Sequence, residues 1–210
     1  MRIPVAIALT LVAASLAAFG VATGFGTYSG QDDNATNAFS SAPSFANTGY
    51  QNPSAQATTG GDNDGFELNP TYAYGDGPLY ASNIDGPGDR HLFYNYGLAP
   101  PSGSTIEGIR IRLDWWLDAV AADNSMSVEL SWDGGTNWTS AKTDTVESAA
   151  EHTGIVGGAG DTWGRIWTVA ELGNANMRVR LTCTCTGGAE CDGRDFYLDW
   201  VAVNVYFTPP

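Results

Sequence analysis

Between Thr105 and Asp118 the chain reads TIEGIRIRLDWWLD, with apolar side chains at every second position. Ile109, Ile111, Leu113, Trp115 and Leu117 share one face, while Arg110, Arg112, Asp114, Trp116 and Asp118 share the other. A period of two over that length predicts a strand with one buried and one wet face. SMSVELSWD repeats the pattern, with Met126, Val128, Leu130 and Trp132 set against Ser127, Glu129, Ser131 and Asp133. In MRVRLTCTC, Val179, Leu181, Cys183 and Cys185 oppose Arg178, Arg180, Thr182 and Thr184. FYLDWVAVNVYF is apolar on both faces and predicts a more central strand. Shorter strands are expected in FELNPTYAY, RHLFYNYGL, NWTSAKTD and GRIWT, and a short helical turn near VAELGNAN. About eight short strands separated by Gly, Asn, Asp and Pro predict an all-β, antiparallel, jelly-roll-like β-sandwich over residues 62–210.

Two other textures precede it. Residues 3–31 carry no charged side chain, and IPVAIALTLVAASLAAFGVA follows the single basic residue Arg2. Such a stretch reads either as a secretory signal peptide or as a retained apolar helix that could span a membrane or bundle with sister helices. Both readings of residues 1–25 export the domain, and membrane contact is expected only through residues 3–25 if they are kept. Residues 26–61, rich in Ser, Thr, Asn, Ala and Gly, read as a linker or extended arm with aromatic anchors at Phe39 and Phe45.

Composition narrows the function. A formal charge of −14, with Lys142 the only lysine, excludes an electrostatic footprint for nucleic acid. Twenty-six glycines against nine Lys and Arg residues fit many turns and few helices. The two histidines, His91 and His152, stand in no nucleophile-elbow or comparable setting, and no carboxylate pair is marked out, so the chain reads as a non-enzyme. Cys183, Cys185 and Cys191 are an odd set for an exported protein. A hairpin disulfide from Cys191 to Cys183 or Cys185 is expected, the remaining thiol being buried or pairing between subunits.

SWDGGTNW, Ser131 to Trp138, is the most motif-like stretch. Gly134 and Gly135 can take positive φ and Asp133 can bond backbone N–H groups, which are hairpin requirements. Ser131, Asp133, Gly135 and Trp138 resemble the Asp-box, Ser-x-Asp-x-Gly-x-x-Trp, with Thr136 one place earlier than usual. That resemblance implies a bracing element of secreted β proteins, not an activity.

Carboxylates gather at both ends of the domain: Asp62, Asp64 and Glu67 in GGDNDGFELNP, Asp195 and Asp199 in RDFYLDW. Phe66-Glu67 at the first strand and Phe196-Tyr197-Leu198-Asp199 at the last resemble jelly-roll carbohydrate-binding modules, although Trp200 stands where a second acidic residue is usual. The resemblance implies that Asp62, Asp64, Glu67 and Asp199 hold a structural Ca²⁺; solvated turn carboxylates are the alternative. It also implies aromatic rings for sugar stacking. Trp116 leads, because alternation sets it opposite Trp115; Trp163 and Trp167 follow, with Tyr94 and Tyr96.

Two functions are expected from these readings. Gly26-Thr27-Tyr28 and Asn37-Ala38-Phe39 after an apolar leader resemble the junction of camelysin-like biofilm fibre proteins. This implies an exported subunit of a cell-surface filament, built from copies of itself by helix bundling or by an arm adding a strand to a neighbour. The alternative is a secreted or tethered carbohydrate-binding module with a glycan partner. Either places the domain outside the cell or on its surface.

Overall fold

The computed structural model describes residues 45–59, 65–84, 86–189 and 191–210. The apolar leader, the first part of the arm, Asp62 and Asp64 lie outside them. Ten strands follow in chain order: β1 (Ala46–Asn47), β2 (Ala55–Thr58), β3 (Ala81–Asn83), β4 (Arg90–Tyr94), β5 (Thr105–Leu117), β6 (Asn124–Ser131), β7 (Lys142–Asp144), β8 (His152–Gly157), β9 (Arg178–Cys185) and β10 (Phe196–Thr208). They make two five-stranded antiparallel sheets, a jelly-roll-like β-sandwich. The first sheet runs β1-β10-β5-β8 with β3 also on β10; the second runs β2-β4-β9-β6-β7. Among the described residues no helix is long and apolar enough to cross a membrane.

The alternating runs become β5, β6 and β9, and their apolar faces meet. Ile109, Ile111, Leu113, Trp115 and Leu117 of β5, Met126, Val128 and Leu130 of β6 and Val179 of β9 are fully buried, with Leu181 and Cys183 of β9 almost so. The two-faced apolar run becomes β10, which lies inside its sheet and pairs with β5 from Phe196↔Leu117 to Thr208↔Thr105. A bulge interrupts this ladder: Leu198 faces Trp115 and Trp200 faces Asp114, so Asp199 is an extra residue. It resets the parity of β10, and Trp200 comes out on the solvent side.

Three expectations change. The sandwich begins before residue 62, because β1 pairs with the end of β10 and β2 with β4. Part of the expected arm therefore supplies an edge strand to each sheet. FELNPTYAY is not a strand: Asn69 takes a left-handed φ of 54° and Pro70 opens a 3-10 turn, Pro70–Ala73. GRIWT is a loop: Trp163, just before it, donates from Nε1 to the Ile109 carbonyl at 2.8 Å, and Trp167 within it to the Thr162 carbonyl at 2.8 Å. VAELGNAN does contain a helical turn, Val169–Leu172, closed by a capping box between Thr168 and Glu171.

The two sheets are also tied by a polar group. Asp144 of β7 accepts from Trp115 Nε1 at 2.8 Å and pairs with His152 Nε2 at 3.0 Å, both on the opposite sheet. Gly154 makes room for it, since a Cβ there would stand 2.0 Å from the Asp144 carboxylate.

The SWDGGTNW turn is spent on itself. Ser131 Oγ donates to Asp133 Oδ1 at 3.0 Å and accepts from the Gly135 N–H at 2.8 Å. Asp133 Oδ1 accepts from the N–H groups of Thr136 and Asn137, its Oδ2 from the Asn137 amide, and Gly134 and Gly135 sit at φ 79° and 103°. The Asn137 backbone bond leads in holding the Asp133 carboxyl below its ordinary range. A depressed value means stability that is present above the unfolded-state pKa and lost as pH falls through the folded one. Asp133→Ala is therefore expected to lower Tm at pH 7 and to lose that deficit in acid, read by thermal melts across pH.

Of the cysteines, Cys185 and Cys191 form the disulfide, with Cα atoms 5.7 Å apart. Cys183 is free and buried, accepts from Asn83 Nδ2 at 3.3 Å, and has its thiol pushed up by burial.

Candidate functional site

The outer face of the first sheet collects the solvent-side aromatic rings. On β5 the alternation that buries Trp115 turns Trp116 outward. Cross-strand partners share a face, so Tyr197, opposite Trp116, joins it. Tyr80, just before β3, completes a set contributed from three neighbouring strands or their ends. The ring centroids are 4.9 Å apart for Tyr80–Trp116, 5.2 Å for Tyr80–Tyr197 and 5.5 Å for Trp116–Tyr197, all tilted or edge-on. Tyr80 is 43% exposed, and Trp116 and Tyr197 are half-buried. Edge-on packing fixes the rings against one another while leaving part of the cluster open to solvent. Polar groups rim it: Arg194 pairs with Asp118 at 3.3 Å, and the Tyr197 hydroxyl donates to Asp195 at 3.4 Å.

Farther along the same face the aromatic row continues. Trp200 lies 5.9 Å from Tyr50, donates to Asn52 Oδ1 at 2.8 Å, and is covered by the Arg112 guanidinium at 4.4 Å. Arg112 also binds Asp114, at 3.0 and 2.8 Å, and reaches Asp76 at 3.7 Å. Arg110 sits over Tyr206 at 5.2 Å.

Asp199, the bulge residue, is 1% exposed; its Oδ2 accepts from the Gly77 N–H at 3.1 Å and its Oδ1 is buried without a partner among the described residues. Burial first, then the neighbouring Asp76 and Asp114, raise its pKa against the pull of the Gly77 N–H and Arg112. Glu151 is raised by burial and by the same carboxylates, Asp199 foremost. A raised carboxyl binds its proton more tightly folded than unfolded, so ionising it costs stability as pH rises out of the ordinary carboxylate range. Asp199→Asn keeps an acceptor for Gly77 and removes one of these crowded charges. It is expected to raise Tm at pH 7 and to lose that gain in strong acid; a lower Tm at pH 7 would contradict this account.

The other expected site residues fall as follows. Trp163 and Trp167 are 5% and 3% exposed and pack into the core, so neither offers a ring to a ligand. Tyr96 is likewise buried, and Tyr94 lies on the second sheet beneath Arg178 at 4.3 Å. Exposed Glu67 accepts from the Ile84 N–H at 3.2 Å, whereas Asp199 is engaged by Gly77. Among the described residues no three of His, Cys, Asp and Glu converge as a metal-binding group. Tyr197 and Tyr80 were not singled out from the sequence. The signal for Tyr197 was its place beside Trp116 in an antiparallel pair; for Tyr80 there was none.

No family model matches the chain, and no curated protein matches it. Solved structures similar to this chain include carbohydrate-binding modules. The family 32 module of AlyQ in complex with 4,5-unsaturated mannuronic acid is 14% identical, covering 73% of this chain and 96% of that one, with a TM-score of 0.38. The CBM22-1–GH10 modules of Clostridium thermocellum xylanase 10B complexed with xylohexaose are 12% identical, covering 75% and 27%, at 0.41. TmCBM61 in complex with β-1,4-galactotriose is 12% identical, covering 76% and 92%, at 0.35.

Proposed function

We propose that the chain is an extracellular or cell-surface carbohydrate-binding module without a reacting centre, and that its ligand lies on the Tyr80–Trp116–Tyr197 face. The observation that carries this reading is the grouping of three partly open aromatic rings from adjacent strands. Such rings present the apolar body and polar tip that suit a sugar, whose own faces are apolar and whose rim is hydroxylated. Asp118, Asp195 and Arg194 supply hydrogen-bonding groups at the edge. The Cys185–Cys191 disulfide fits an oxidising compartment.

The filament reading has no observation in its favour. Of its expected arm, residues 26–61, Ala46–Asn47 and Ala55–Thr58 pair within their own chain. Binding of the purified protein to an array of neutral and acidic glycans tests the proposal. Retention of a defined glycan class, lost in Trp116→Ala, is the expected result; no retained glycan, or retention unchanged in that variant, would reject it.

A further inference from the structure

Where β5 leads into β6, a pocket of about 350 Å³ is lined by Asp123, Asn124, Ser125, Thr145, Glu147 and Thr186. Every side chain in this set ends in oxygen, or in an amide with one oxygen. Two of those oxygens are buried and unsatisfied. Asn124 is 2% exposed, and its Nδ2 donates to the Ala121 carbonyl at 2.7 Å. That bond fixes which way the amide points and leaves Oδ1 without a partner. Glu147 accepts the Asn124 N–H on Oε1, and its Oε2 is buried and likewise unpartnered. No ion pair to Lys or Arg reaches Asp123 or Glu147 among the described residues.

Leaving two such acceptors unpaired on residues that line one pocket is costly, and carboxylate charge makes a cation the favoured guest. We infer that this pocket is a Ca²⁺ site, with the Asp123 and Glu147 carboxylates and Asn124 Oδ1 as ligands and hydroxyl or water oxygens completing the shell. With no nitrogen or sulfur donor in the set, a hard ion is selected over zinc. An irregular mixture of carboxylate, amide and hydroxyl oxygens suits the six to eight loosely arranged contacts of Ca²⁺ better than the strict octahedron of Mg²⁺. The site is distinct from the set of Asp62, Asp64, Glu67 and Asp199, and does not depend on what the aromatic face binds. It joins the start of β6, the β7–β8 connection and the segment after β9, so the ion would clamp three neighbouring strand ends of the second sheet together.

With two carboxylates, affinity in the range of extracellular modules is expected, a Kd of roughly 0.1–1 mM. Calorimetric titration of the full chain with CaCl₂ should show one saturable site. Tm should rise by about 3–8 °C in 10 mM CaCl₂ relative to NaCl of matched ionic strength, a control needed because any salt screens a chain of charge −14. Glu147→Gln and Asp123→Asn should each weaken binding at least tenfold and remove the Ca²⁺-specific gain. Asp123 is exposed, so its variant remains informative even if the Glu147 variant folds poorly. No saturable heat, no gain beyond the NaCl control, or a gain that survives in the double variant would overturn the assignment.

Discussion

Replacing Trp116 by alanine is expected to weaken glycan binding about 30-fold while leaving the fold intact. Trp116 is half-buried and in contact with both other rings of the Tyr80–Trp116–Tyr197 cluster, and loss of an aromatic anchor in a binding patch costs about 2 kcal/mol. Its contribution to stability is smaller, because its outer edge already faces water. Tyr197→Ala should act in the same direction, through loss of its own ring and of the support it gives Trp116. Trp167→Ala is the contrasting case. Its ring is 3% exposed and packs at 6.4 Å against Trp132, so its removal should lower stability by about 3–5 kcal/mol without a selective loss of affinity. Affinity electrophoresis for binding and thermal melts for folding separate the two behaviours. Equal affinity losses in Trp116→Ala and Trp167→Ala would move the site away from this face.

The second large effect is expected at Asp144, whose carboxylate is 10% exposed and bridges the sheets. Asp144→Ala strands two groups. The buried Trp115 Nε1–H loses its acceptor, and His152 loses the partner of Nε2 while its Nδ1 already lacks one among the described residues. Stranding a buried donor costs about 1–3 kcal/mol, and removing one side of a buried polar pair more. A loss near 4 kcal/mol is expected, lowering Tm by about 8–16 °C. Asp144→Asn keeps an acceptor for Trp115 and should lose less than half as much. Trp115→Phe combined with Asp144→Ala should cost less than the sum of the two, because Phe makes no demand for an acceptor. Strict additivity would mean that the bond between them contributes nothing.

How much of this could be read from the residues depends on the distance over which each feature is determined. The long strands were legible because one face of each is polar: Arg110, Arg112 and Asp114 mark the wet side of β5, and Trp116 inherits its outward position from that parity. In β10 the parity fails. With apolar residues on both faces and an extra residue at Asp199, the sequence does not say whether Trp200 points in or out; the backbone bulge decides it. Trp163 and Trp167 lie at a loop where a short strand was expected, and they are held there by the Ile109 and Thr162 carbonyls, one of which is 54 residues away. The Asp144–Trp115 bond and the oxygen-lined pocket are meetings of residues 20 or more positions apart, with no local trace. The SWDGGTNW turn is the opposite case. Everything Asp133 does is completed within four residues, so its role was visible in the string.

The docking of Ala46–Asn47 and Ala55–Thr58 onto the two sheets bears on where the protein can be cut. A fragment started at Asp62, where the strand-like texture first becomes obvious, would leave the rims of β10 and β4 bare, with unpaired amides and carbonyls facing outward. Such rims recruit one another. Shortened versions should precipitate or form ill-defined multimers, whereas those beginning ahead of residue 45 keep both rims covered.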